Sequence, residues 1–428
     1  LQRLLYLSLA SLASWAIMLL AVFVAQASSP PRLGWMMPQN VSGSLTLGSM
    51  GPQMAVDGSG HLHLIWMEGT LDEEDLCYVK SNDQGLSWSD AECIETASAS
   101  RDGSFAVDIT GTIHACWWDG TPPHPPYELF YAQRTSSGWT IDEPSVVVTN
   151  SWITEPSITV TGDDIHVVCS RRMPVAGGGY YPADLCYSRR PVSAGEWLTP
   201  TVIVDTAPAS DHSAMTADQG GNLHVVWQEN TLPNRIMYVS GTVGVSETAW
   251  YSPITVSTGL SVDATSPDIL VGADDMVHTV FGVDVADAED THDIYYASFP
   301  LSNTEDISPT IIQGSRVLVH REWPTYAGPS LALHGTDEVH VVWNGVKGTD
   351  PVERIYYAVS EDHGASWSQP MAISPNDAWS DGFSTIATHG TLVHVAWQQE
   401  GLSSASDIYY AHSLPIITYY SLALKDYQ

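Results

Sequence analysis

The sequence predicts an all-β protein, a seven-bladed β-propeller of four-stranded antiparallel blades, preceded by an N-terminal hydrophobic helix. The first observation is a strand-like motif that occurs seven times: HLHLIW from His61, TIHACW from Thr112, DIHVVC from Asp164, NLHVVW from Asn222, MVHTVF from Met276, EVHVVW from Glu338 and LVHVAW from Leu392. The second is a companion strand that follows each copy: LCYV, LFYA, LCYS, IMYV and three times IYYA, beginning at Leu76, Leu129, Leu185, Ile236, Ile294, Ile355 and Ile408. The third is negative: beyond the N-terminal segment no stretch keeps a helical period, while short Val-, Ile-, Tyr- and Trp-rich runs alternate with Gly, Asp, Asn and Pro. Repeats of this period, too small to bury a core alone, close into a ring.

In chain order, the uncharged run from Leu4 to Ala25 comes first. As a helix it rises about 33 Å, enough for a bilayer core of about 30 Å. Ala25-Gln26-Ala27 also reads as a secretory cleavage site. Residues 1–27 are therefore expected to be a membrane anchor or a signal peptide, and either places the remainder outside the cytoplasm. Residues 28–412 form the propeller. Its fourth strands carry W-x-x-P-x-x-[V/I], as at Trp197, Trp250 and Trp367, and the seventh repeat lacks one. The same spacing stands at Trp35, Pro38 and Val41, so residues 35–42 are expected to complete the last blade and leave no open edge. The tail 413–428 is read as an edge strand or an association segment.

Acidic residues outnumber basic ones, 49 to 15, giving a net charge of −34 with only three lysines. Nucleic acid and anionic lipid headgroups are therefore poor partners. Five cysteines show no C-x-x-C spacing. Cys169 replaces the Trp that ends the second strand and Cys186 takes the first Tyr position of the third, so these two are expected to be bonded. Cys77 is expected to pair with Cys93, leaving Cys116 as a free thiol. The seven repeated His residues spread around a ring instead of converging, so they are read as structural and no metal site or other cofactor is assigned to them. The acidic loops Asp72–Asp75 and Asp284–Asp293 have oxygen ligands suited to Ca²⁺, without an EF-hand spacing.

Between third and fourth strands, SNDQGLSW (Ser81, Asp83, Gly85, Trp88) returns as SEDHGASW (Ser360, Asp362, Gly364, Trp367). This S-x-D-x-G-x-x-W phrase resembles the Asp-box, or BNR repeat, of the sialidase-like propeller superfamily. The resemblance covers roughly residues 35 to 412 and implies that these turns lie on the face away from any catalytic centre. Their chemistry is that of a hairpin: an Asp that accepts N–H groups of its own turn, a Gly able to take positive φ, and an apolar ring. A sialidase of that family uses three arginines, one from F/Y-R-I-P. No such string exists here, and the nearest, Arg171-Arg172-Met173-Pro174, follows a second strand of the third blade.

Function is sought in departures from the repeat, on the loops between second and third strands and between blades. Arg101, Trp152, Arg171, Arg172, His212, Arg321, Trp323, Tyr326 and Trp379 are the candidate ligand-binding residues. Aromatic rings beside charged groups suit a sugar or a protein partner. Asp211, Glu322 and Asp381 are the candidate carboxylates if the protein cleaves glycosidic bonds. The expected function is non-catalytic binding of a protein or glycan by an extracytoplasmic, membrane-anchored propeller, on its own or as a subunit of a membrane assembly. The alternatives are a glycoside hydrolase and a cell-surface assembly protein joined through its tail.

Overall fold

The computed structural model describes residues 34–414, apart from 44–46, 71–72, 95–99, 120–127, 142–151, 163, 176–180, 192–194, 205–207, 246, 287, 303–306, 319–327, 349–351, 376–380 and 401–404. All regular structure among the described residues is β, arranged as seven antiparallel sheets. Blade 1 runs through Gly48–Val56, Leu62–Thr70, Glu73–Ser81 and Glu92–Ile94, and the later blades repeat that order. Blades 4 and 5 each add a two-residue strand. The hydrophobic helix expected over Leu4 to Ala25 lies outside the described residues. Among those described, no helix is long and apolar enough to cross a membrane.

The last blade borrows its outer strand from the start of the chain. Gln39–Asn40 pairs with Tyr410 and Tyr409, Trp35 bridges Ser413, and the Val41 N–H reaches the Ile408 carbonyl at 2.7 Å. Leu414 continues this pairing through an N–H to Gly34, and residues 415–428 lie outside the description.

The core sits between blades. Each of seven apolar clusters joins two neighbouring sheets, as where Val226, Ile236 and Tyr238 of blade 4 pack on Val277, Phe281 and Phe299 of blade 5. The Trp side chains that end second strands, Trp66, Trp117, Trp227, Trp343 and Trp397, are fully buried there. Outside this core a second ring forms. The Tyr of each third strand meets an aromatic ring of the next blade edge-on, at 5.0–5.8 Å: Tyr78 with Trp139, Tyr131 with Trp197, Tyr187 with Trp250, Tyr238 with Phe299, Tyr296 with Trp367, Tyr357 with Trp35 and Tyr410 with Trp88.

The repeated His serves this ring. Its Nδ1 lies 2.6–2.8 Å from the Tyr hydroxyl of its own blade in all seven copies. The hydroxyls of Tyr296 and Tyr410 donate onward to the His363 and Gln84 carbonyls, so there the His must donate to the Tyr oxygen. Burial holds His63 and His278 down to about 4, and His166 and His394 to about 3, so these rings are neutral.

The two S-x-D-x-G-x-x-W turns are built alike. Ser81 Oγ donates to Asp83 at 2.8 Å and accepts the Gly85 N–H at 2.8 Å, while Asp83 accepts the Ser87 N–H and hydroxyl at 2.9 and 2.6 Å. Asp362 repeats this with Ser360, Gly364 and Ser366. Gly85 and Gly364 have φ of +88° and +85°, and a Cβ on either would fall inside the Tyr410 or Tyr296 side chain. Only glycine meets both demands.

Candidate functional site

Among the described residues, six first strands begin with a β-bulge that breaks the register with the second strand. The bulged residue lies in the left-handed region in each: Gly51, Asp102, Glu155, His212, Ser266 and Phe383, with φ between 47° and 61°. That conformation is uncommon for a residue with a Cβ, and the recurring bulge imposes it. In blades 1 and 5 the bulge reads Gly-Pro and Ser-Pro. In blades 2, 3 and 4 it carries Asp102, Glu155 and His212, and these come together at the loop end of the sheets.

Glu155 joins two blades. One carboxylate oxygen accepts the His212 N–H, and the other lies 3.4 Å from His212 Nε2. The Glu155 side chain is partly buried, 30% exposed. Burial therefore raises its carboxyl above the usual range, the His212 imidazole opposes this, and the Asp102 and Asp211 charges add to it. Asp102 accepts the Trp118 indole N–H at 2.6 Å. Asp211 accepts from Asn230 at 2.6 Å and from Arg172 at 3.3 Å.

Two arginine–tryptophan stacks flank this centre. Arg172, at the end of Asp164–Arg172, lies 5.6 Å from the Trp152 ring centroid. Arg101 lies 5.9 Å from that of Trp118, with its Nε 3.4 Å from the buried Glu74. The Cys169–Cys186 disulfide ties the strand carrying Arg172 to the next one. Cys77–Cys93 does the same for the outer strands of blade 1, and Cys116 is a buried free thiol.

Among the residues singled out from sequence, the fold gathers Arg101, Trp152, Arg172, Asp211 and His212. Arg171 alternates with Arg172 along its strand and so points to the other side of the sheet. Asp381 is fully buried, accepting from Gln399 at 2.8 Å and Trp397 at 3.2 Å, so it braces blade 7 away from solvent. Arg321, Glu322, Trp323, Tyr326 and Trp379 lie outside the described residues. Glu155 is one of the charged residues of the blade-to-blade connections and Trp118 opens a variable loop of the same face, whereas Asp102 and Asn230 carry no such signal. Aligning the starts of the first strands finds Asp102, which puts charge where blades 1 and 5 have Gly51 and Ser266. Of the acidic loops, Asp284 faces His292 at 3.4 Å and Asp293 is held in two bonds by Arg316. Asp293 thus has a cationic partner in Arg316, and Asp284 faces an imidazole.

The opposite face holds a polar cleft of about 360 Å³ beside the first S-x-D-x-G-x-x-W turn, lined by Lys80, Asp83, Trp88, Glu92 and Arg134. Arg134 is spent there on Glu92 and on the Tyr78 ring.

No protein-family model matches the sequence, and no curated protein does. Solved structures match through the fold. An ulvan lyase, a polysaccharide lyase solved bound to a GlcA–Rha3S saccharide, superposes with TM-score 0.60 and 11% identity over 86% of this chain and 95% of that one. A protein of unknown function from Dyadobacter fermentans gives 0.54 and 11% over 90% and 99%. A leech intramolecular trans-sialidase gives 0.47 and 11% over 89% and 70%. The chain is a seven-bladed β-propeller. Polysaccharide lyases and sialidases stand among its structural neighbours, at identities that speak for architecture alone.

Proposed function

We propose that the protein is an extracytoplasmic propeller, held at a membrane by its N-terminal segment, whose loop face binds a neutral glycan over blades 2 to 4. The observation that supports this most is the part-exposed Trp152, stacked by Arg172, beside Glu155 and His212. The part-exposed Trp152 indole offers a face to the C–H side of a sugar ring, whereas Trp118 is buried and braces Arg101, and carboxylates and imidazole take the sugar hydroxyls. The ligand is neutral because both guanidinium groups already face carboxylates, Glu74 and Asp211, and because a net charge of −34 repels polyanions. The ulvan lyase was solved with a glucuronate-containing saccharide. Here the two arginines of this cluster among the described residues, Arg101 and Arg172, already face carboxylates.

Glycoside hydrolysis is the second reading, favoured by one observation. Glu155 has a raised carboxyl beside two further carboxylates, the pairing a general acid and its partner require. One screen separates the two: neutral, uronate-containing and sialylated oligosaccharides, each followed for binding and for product release. Saturable binding of a neutral member without product supports the proposal. Product release abolished by Glu155→Gln establishes the hydrolase. Binding confined to anionic glycans overturns the proposal, and neither binding nor product release with any member overturns both.

A further inference from the structure

We propose that blade 6 carries a binding site for a divalent transition ion, zinc first, formed by His334, Glu338 and His340. It lies at the turn between the first and second strands of that blade, on the face opposite the loop cluster. The argument starts from a departure in the repeat. Six positions before the repeated His, blades 1, 2 and 4 have Asp57, Asp108 and Asp218, each 3.3–3.4 Å from the His Nε2. Blade 6 has His334 at that place. Two positions before the repeated His, where those blades have His61, Thr112 and Asn222, blade 6 has Glu338. The exchange moves the carboxylate to the second strand and sets His334 and His340 around it, a rearrangement of the His61–Asp57–His63 group of blade 1.

Glu338 Oε2 lies 2.7 Å from His334 Nδ1 and 3.6 Å from His340 Nε2, and one ligand atom from each of the three residues falls within 4.8 Å of the others. His340 is 4% exposed, and its Nδ1 is engaged by the Tyr357 hydroxyl at 2.7 Å. Its Nε2 has no hydrogen-bond partner and faces the cluster. A ring held on one nitrogen by an outer partner, with its other lone pair free, is how ligating histidines are prepared. His334 and Glu338 are 43% and 40% exposed, so an ion reaches the site from solvent. Tetrahedral bonds of about 2.1 Å put ligand atoms about 3.4 Å apart, a small adjustment for the surface His334 ring. Two imidazoles and one carboxylate suit zinc over calcium or magnesium, and three protein ligands leave a fourth position for water.

The test uses the full chain, stripped with a chelator and dialysed against zinc, with metal content and thermal unfolding as readouts. About one equivalent of zinc and a higher unfolding midpoint are expected, with calcium giving neither. In His334→Thr, which installs the residue blade 7 carries at this place as Thr388, both effects should vanish while the metal-free midpoint stays near that of the parent. Glu338→Gln should weaken retention at least about tenfold. Failure of the parent chain to retain zinc, or equal retention by His334→Thr, overturns the proposal.

Discussion

Along the innermost strands, one side chain of a blade accepts an N–H from the next. Ser104 accepts from Ile158, Ser157 from Met215, Asp268 from Leu331 and Thr385 from Met54, at 3.0–3.3 Å. Three of these acceptors are neutral hydroxyls, and Asp268 is a carboxyl. Burial raises it from 3.8 to about 6, against the pull of the Leu331 and Ile269 N–H groups. Below about 4 it is protonated whether the chain is folded or not. Between about 4 and 6 the folded state keeps a proton that the unfolded chain releases, so stability falls as pH rises and the loss is complete above about 6. The total is on the order of 2–3 kcal/mol. Asp268→Asn keeps an acceptor for Leu331 and removes the charge. Its unfolding midpoint should exceed that of the parent at pH 7.5 and match it near pH 4; parallel pH profiles would refute the assignment.

The unit of stability at the next scale is the pair formed by a Tyr and the ring of the following blade. Trp367 belongs to an S-x-D-x-G-x-x-W turn and Trp250 does not, yet both meet a Tyr edge-on in the same way. Replacing either by Ala should cost about 2–4 kcal/mol in urea unfolding, and the two losses should agree within about 1 kcal/mol. Tyr296→Phe, which cuts the bonds to His278 and the His363 carbonyl, should cost about 1–2 kcal/mol. A far larger loss at Trp367 than at Trp250 would mean that the Asp turn, and not the ring, holds the blades together. The sequence showed the repeated Trp, Tyr and His because spacing repeats them. It did not show that each Tyr looks to the next blade, since that partner is set by the rotation between sheets.

Across the whole molecule, the closure at Trp35, Pro38 and Val41 was legible because a missing strand and a spare one shared a pattern. The candidate site was only half legible. Arg101, Trp152, Arg172, Asp211 and His212 stood out as charged or aromatic loop residues, but the Glu155–His212 contact spans 57 positions and exists only once neighbouring bulges are brought side by side. Arg171 and Asp381 shared the same local signals and were turned elsewhere by strand alternation and burial. A glycan laid across the ring should depend on residues from more than one blade, which makes Trp152 the informative position. Calorimetric titration of the tightest neutral oligosaccharide into the parent chain and into Trp152→Ala tests the central claim most directly. The account predicts at least about tenfold weaker binding by the variant with an unchanged unfolding midpoint; equal affinity in the two proteins would contradict it.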